Sequence, residues 1–227
     1  RAGHTSLKHA DVVLQVAAAA PPEFRSAVDP ATAVGDLDRI AELLTGGRPT
    51  ITALTREPGA PDDELRVRVY RRGEPMSLSE LLPLLAHLGF ETLEEHPYEF
   101  TIDGVDCSLL DIAVRLPSGA QVDARTHEQL LATIDDLIAG RVEADGFNQL
   151  VLRAGLTAAQ VSVLRAYAKY AHQIRFAFSQ GYIEGTLARQ PTLARLLVEV
   201  FEAKFDPDRP DFDRADAVAA ARAAVLE

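Results

Sequence analysis

The sequence contains one cysteine, Cys107, one methionine and no tryptophan. A single thiol excludes an intrachain disulfide and any zinc site built on several thiolates, and it points to a reducing, cytoplasmic setting. No stretch approaches the roughly 20 apolar residues that a membrane-spanning helix needs. The run from Val12 to Ala20 is interrupted by Gln15 and ends at Pro21-Pro22. Positive charge is also short. Lys and Arg number 23 against 34 Asp and Glu, a net charge of −11, which opposes general binding to nucleic acid or to anionic membranes.

Motifs that announce chemistry are missing too. There is no G-x-G-x-x-G or G-x-x-x-x-G-K to cradle phosphates, no H-E-x-x-H, and no nucleophile elbow. The histidines are scattered, with only His4 and His9 near one another at the start. Carboxylates fall in runs such as Asp62-Asp63-Glu64, Glu94-Glu95 and Asp135-Asp136, the pattern of a solvated face. Cys107, beside Asp106 after a turn, has no cation near it in sequence to lower its pKa and reads as a small strand residue. No catalytic residue, cofactor-binding residue or metal ligand is therefore assigned.

What is present suits a folded core. Hydrophobic residues make up 47% of the 227 positions, and a chain of this length removes about 70% or more of its unfolded surface from water. The chain begins at Arg1 without a methionine and ends in an unfinished helical pattern, so a piece of a longer protein is expected.

Periodicity gives the elements. A short helix is predicted over 7–19 and stopped by Pro21-Pro22. Asp29-Pro30 then caps an amphipathic helix over 30–45, with Ala33, Leu37, Ile40, Ala41 and Leu44 on one face and Gly46-Gly47 as its stop. The period then drops to two. Strands are predicted at 50–56 and 65–72, separated by the turn residues Pro58 to Asp63. In the second strand Leu65, Val67 and Val69 face one way and Arg66, Arg68 and Tyr70 the other. Ser77 and Glu80 form a capping box for a helix over 78–89, in which Pro83 is awkward. Strands at 90–101 and 108–116 are joined through Asp103-Gly104, a hairpin signal. Leu110, Ile112, Val114 and Leu116 define the buried face of the latter strand. Thr126 and Gln129 cap a helix over 126–139.

Beyond this the pattern is helical. Thr157 and Gln160 cap one helix, with Val161, Leu164, Tyr167 and Ala168 as its core stripe. Pro191 opens another with Leu193, Leu196, Leu197, Val200 and Phe201, residues 207–213 form a loop, and an alanine-rich helix closes the chain. The expected class is α+β: a mainly antiparallel four-stranded sheet with helices on one face, flanked by a helical module. The division is an N-terminal helical segment over 1–47, the α+β domain over 48–140 and the helical module over 141–227.

Two places invite a functional reading. At Arg72-Gly73-Glu74 a strand gives way to a helix, and arginine with free helix-start N–H groups could hold a carboxylate such as that of an amino acid. The same residues also suit a plain strand-to-helix connection. In the helical module Asn148, Arg153, Arg165 and Tyr170, with Lys169 and Arg175, form either an ordinary wet face or one that docks against another domain.

Several blocks in this stretch, DGFNQLVLRAGL, VLRAYAKY, FSQGYIEGTLARQP and LLVEVFEAKFDP, resemble the segment that precedes the catalytic domain of the large NAD-dependent glutamate dehydrogenases of bacteria. LRVRVYRRGEPMSLSELLPLLAHLGFETLEEHPYEF is similar to that family's ACT-like region, and VDPATAVGDLDRIAELL also fits, so the resemblance covers about residues 25–207. It implies a parent enzyme, a cytoplasmic homo-oligomer, that oxidises L-glutamate to 2-oxoglutarate and ammonia with NAD. The catalytic lysine and dinucleotide fold of that family lie outside this stretch, so NAD is expected in the parent and no cofactor here. A departure is also visible: an ACT domain reads βαββαβ, and no strand follows the helix over 126–139. The strand at 50–56, paired with 65–72, would supply the fourth. The resemblance implies a non-catalytic regulatory or scaffolding segment that docks the catalytic domain of the same parent chain and serves oligomer assembly. The alternative is an ACT-like module that senses an amino-acid effector.

Overall fold

The computed structural model describes residues 9–208 and 210–226. The chain forms two compact units. One runs to Leu82 and resumes over Glu91–Leu116; the other comprises Pro83–Phe90 and the chain from Pro117 onward.

The first unit opens with α1 (His9–Ala19), α2 (Pro22–Ala27) and α3 (Pro30–Thr45). The predicted helix start at residue 7 lies outside the described residues, and α2 is a short helix that the proline pair begins rather than excludes. Asp29 caps α3 as expected, its carboxylate accepting from the N–H groups of Ala31 at 3.0 Å and Thr32 at 3.2 Å, while Pro30 needs no partner at the first helical position.

The sheet contains β1 (Thr50–Thr55), β2 (Glu64–Arg72), β3 (Glu91–Ile102) and β4 (Val105–Arg115) in the order β1-β2-β4-β3. All three pairings are antiparallel. β1 supplies the fourth strand by pairing with β2. Ile102 pairs with Val105, which leaves a two-residue turn with Asp103 at φ 51° and Gly104 at φ 77°, the left-handed pair that a tight hairpin requires. β3 is an edge strand. It tolerates Pro97, which cannot donate to a ladder, and its register slips between Thr92 and Glu94, two devices that blunt an exposed edge.

The N-terminal helices share a core with the sheet. Val12, Val16, Phe24, Ile40 and Leu43 cluster with Ile51, Tyr70, Phe100 and Leu109, so the boundary expected at residue 47 runs through one hydrophobic core. Phe24 meets Tyr98 and Phe100 edge-on at 5.3 and 5.4 Å, the geometry that aligns a positive ring edge with a negative face. Burying each such side chain is worth about 1.5–3 kcal/mol. Leu65, Val67, Val69, Ile112 and Val114 on the opposite sheet face are buried as well. Arg68 and Tyr70 thus do alternate away from Leu65, Val67 and Val69, but into protein.

The helix α4 (Leu78–His87) crosses the division between units next to Pro83, which lies inside it. The second unit continues with α5 (Ala124–Ile138), a single 3-10 turn at Gly146–Asn148, α6 (Gln149–Ala154), α7 (Ala158–Gln173), α8 (Gln180–Arg189), α9 (Pro191–Phe205) and α10 (Asp211–Leu226). The cap of α5 is Asp123 rather than Thr126: its carboxylate accepts from the Thr126 N–H at 2.7 Å, and a carboxylate outcompetes a hydroxyl for that place. Thr157 and Gln160 do form their capping box, at 2.9 and 3.2 Å. The expected loop over 207–213 ends sooner, since α10 starts at Asp211. No helix of the described residues is long and apolar enough to cross a membrane. The architecture is α+β: a four-stranded antiparallel ACT-like sheet with helices, joined to a helical module.

Candidate functional site

The strand-to-helix loop at Arg72-Gly73-Glu74 is exposed. Gly73 adopts φ 84°, and the loop is tied down by N–H bonds from Arg72 to the Pro49 carbonyl at 2.9 Å and from Gly73 to the Asp106 carbonyl at 2.7 Å. The helix start that would receive an anion is already occupied. The Ser77 N–H donates to Glu80 Oε2 at 3.0 Å, and the Glu80 N–H to Ser77 Oγ at 3.3 Å. The bond from the Ser77 backbone holds the Glu80 carboxyl below its usual range. This helix start carries its own carboxylate, which leaves the Arg72 guanidinium as the loop's remaining feature for a ligand.

A denser polar cluster sits beneath α3. Arg68 of β2 is 3% exposed, Asp36 of α3 1% and Asp111 of β4 4%. Arg68 donates to Asp111 Oδ2 at 3.4 Å and to Thr55 Oγ1 at 3.1 Å. Its Nε lies 3.8 Å from Asp36 Oδ1. The Tyr70 hydroxyl donates to the same Asp36 oxygen at 2.5 Å, and the Arg39 guanidinium stacks over the Tyr70 ring at 5.8 Å. Burial pushes the Asp36 carboxyl above its usual range, against the lowering effect of Tyr70 and Arg68. Burial and the adjacent Asp36 carboxylate hold the Tyr70 hydroxyl protonated to far above its usual pKa, so it remains a donor. Arg66 lies 3.4 Å from Asp111, and Glu57 reaches Arg68 at 3.4 Å and Arg66 at 3.2 Å, so acids and arginines alternate in an ionic joint between α3 and the sheet. Sequence reading passed over Asp36 and Asp111, although an aspartate within an apolar helical stripe is itself a signal of a buried partner.

In the helical module the four residues proposed as a docking face separate. Asn148 and Arg165 are 2% and 5% exposed and bond to each other at 2.9 Å. Arg165 also grips Asp145 with both arms, Nε to Oδ2 at 2.6 Å and Nη2 to Oδ1 at 3.0 Å, and reaches the Glu143 carbonyl at 3.1 Å. Asp145 in turn accepts from the Phe147 N–H at 3.1 Å. These contacts fix the Glu143–Asn148 turn to α7; they present nothing outward. Arg153 bonds Gln149 on its own helix at 3.4 Å. Tyr170 is 58% exposed and belongs to a different feature.

That feature is an aromatic surface along α7, α8 and α9. Tyr167 is half exposed rather than core, as are Phe176, Phe178, Tyr182 and Phe205. Phe178 stacks on Tyr182 at 4.7 Å and meets Phe176 at 5.3 Å, and Tyr167 meets Phe201 edge-on at 6.2 Å. In α9 it is Ala194, Val198 and Ala203 that are fully buried. The expected stripe of Leu193, Leu196, Leu197, Val200 and Phe201 is only half covered, because the small side chains allow close helix approach and turn the large ones outward.

These observations define a class: an ACT-like α+β domain joined to a helical module. Residues 50–127 match the family model for the glutamate dehydrogenase ACT3 domain, and residues 142–207 match that for glutamate dehydrogenase helical motif 3. The chain is 37% identical over 202 residues to the NAD-specific glutamate dehydrogenase of Mycobacterium tuberculosis, covering 86% of this chain and 12% of that protein. It is 35% identical over 194 residues to that of Halomonas elongata (84% and 12%) and 33% identical over 187 residues to that of Pseudomonas aeruginosa (82% and 12%). The chain belongs to the glutamate dehydrogenase family, with its ACT3 domain and helical motif 3. It spans about 12% of the length of these relatives.

Proposed function

We propose that this chain is a non-catalytic scaffolding segment of a large NAD-dependent glutamate dehydrogenase, a cytoplasmic homo-oligomer that converts L-glutamate, NAD and water to 2-oxoglutarate, ammonia and NADH. Its task is to dock the catalytic domain of the same parent chain and to support oligomer assembly. The observation that carries this reading is the half-exposed aromatic surface of α7–α9, which falls within the helical-motif match. Soluble monomers rarely leave a contiguous apolar patch of this kind uncovered, and aromatic residues dominate docking energetics.

The test is made in the full-length enzyme. Phe178→Asp with Tyr182→Asp, at positions 47% and 52% exposed, places two charges on the surface without touching the core. The expected result is a smaller assembly by light scattering, together with reduced glutamate-dependent NAD reduction. Unchanged assembly and turnover in a folded variant would overturn the scaffolding role. The isolated chain is expected to show no glutamate-dependent NAD reduction, and measurable turnover would overturn the non-catalytic assignment.

A further inference from the structure

Beside the aromatic cluster lies an open apolar groove of about 560 Å³. Leu164, Ala168 and Ala171 of α7 and Leu197, Val200 and Phe201 of α9 line it. Tyr167 and Phe205, 50% and 51% exposed, form its walls. Lys204 and Arg222 stand at its rim, and neither has an acidic partner among the described residues. The Lys204 ammonium instead lies 5.1 Å from the centroid of the Phe205 ring.

The lining from Leu197 to Phe205 runs about 12 Å along α9, at about 1.5 Å per residue. That is the length of roughly two helical turns, enough for apolar anchors at i, i+3 or i+4, and i+7. The rim decides the sign of the partner. Two cations without an acidic partner among the described residues, on a chain whose net charge is −11, favour acidic flanks on whatever docks, since complementary rim charge steers and registers an interface. A second copy related by a two-fold axis would instead bring Lys204 and Arg222 against the same cations. The parent polypeptide has a further advantage. The chain spans about 12% of its relatives' length, and a helix tethered in the same polypeptide reaches the groove in an intramolecular step, without depending on the concentration of a separate partner.

We propose that this groove receives two turns of an amphipathic helix, apolar on its docking face and flanked by Asp or Glu, supplied by the parent polypeptide outside these 227 residues. This rests on the scaffolding role above and names the site and the chemistry of its partner.

The experiment places the photo-crosslinking residue benzoylphenylalanine at position 167 of the full-length enzyme, with position 205, 51% exposed and on the opposite wall, as a second site should the first variant fail to assemble. After irradiation the linked peptide is identified by mass spectrometry. The expected product joins this site to a peptide of the parent chain outside the present residues, with apolar residues at helical spacing and acidic flanks. Lys204→Glu with Arg222→Glu is expected to lower the yield about fivefold at low salt. Linkage to another copy of these 227 residues, linkage to a peptide without acidic flanks, a yield indifferent to charge reversal, or no linkage at either position would each overturn the proposal. The failures are separable. If linkage is absent while Phe178→Asp with Tyr182→Asp still breaks assembly, the groove assignment falls and the scaffolding role stands; if neither has an effect, both fall.

Discussion

Arg68 on β2 stands directly opposite Asp111 on β4, and both are buried where α3 lays Asp36 over them. Breaking such a joint from one side is costly, because the partners keep their charge and lose its compensation. Arg68→Ala is expected to destabilise the protein by about 3–5 kcal/mol, read as a lower urea midpoint with the slope unchanged. A loss below about 1 kcal/mol would mean that water reaches the two carboxylates in the variant, since a fully dry pair cannot be orphaned so cheaply.

The Tyr70–Asp36 bond predicts a pH signature. Burial raises the folded-state pKa of Asp36 above its usual 3.8, so between that value and the raised one the folded protein holds a proton that the unfolded chain has released. Stability therefore falls as pH rises through this window. Asp36→Asn keeps an acceptor for Tyr70 and removes the titration, so its stability should lose this fall with pH. Tyr70→Phe removes the donor that favours the ionised carboxylate. It should cost about 1–3 kcal/mol at neutral pH and less at the acid end, where Asp36 no longer needs the bond. Denaturation midpoints of the three proteins across pH 3–8 check both directions.

How far the sequence revealed this can be argued from these same residues. Strands and caps were legible because they rest on local rules: Asp103-Gly104 can turn tightly whatever surrounds it, and Asp29-Pro30 starts a helix by itself. The alternation of Arg66, Arg68 and Tyr70 against Leu65, Val67 and Val69 was legible as well, but its meaning was not. A polar face usually meets water, and only the packing of α1 and α3 turns it into core. The inward turn of Asn148 and Arg165 was hidden for a related reason. Charge and spacing do not distinguish an arginine that reaches outward from one that folds back onto Asp145, and the partner lies 20 positions away in sequence. Tyr167, which periodicity places in a core stripe, is half exposed, because hydrophobic spacing finds stripes without saying whether a neighbour is present to cover them.

Arg165 makes the second buried joint, and its geometry separates shape from charge. Lysine keeps the charge but cannot match the two-armed grip on Asp145 or reach Asn148 and Glu143 at once. Arg165→Lys should therefore be nearly as damaging as Arg165→Ala, with each costing several kcal/mol, on the order of 3 or more. Hydrogen exchange should locate the effect, with faster exchange of the Phe147 and Asn148 amides, which rely on the Asp145 cap. If Lys restores those amides to their original protection, charge alone holds the turn and the bidentate account is wrong.

Cys107 offers an internal probe of how firmly the sheet is closed. It is 2% exposed, opposite Phe100 on β3 and Arg72 on β2, and burial pushes its thiol above its usual pKa despite the nearby Arg72. A thiol of this kind reacts only when the structure opens around it, because the thiolate is the nucleophile and neither reagent nor base reaches it in the closed state. Labelling by a disulfide reagent at pH 8 should run on the order of 10³-fold slower in the native protein than in urea. Phe24→Ala removes the ring packed on Tyr98 and Phe100 and should cost about 3–5 kcal/mol. It should therefore accelerate labelling through the population of the open form. Native labelling at the unfolded rate, or a rate that Phe24→Ala leaves unchanged, would mean that the edge strand β3 lifts from β4 independently of the core beneath it.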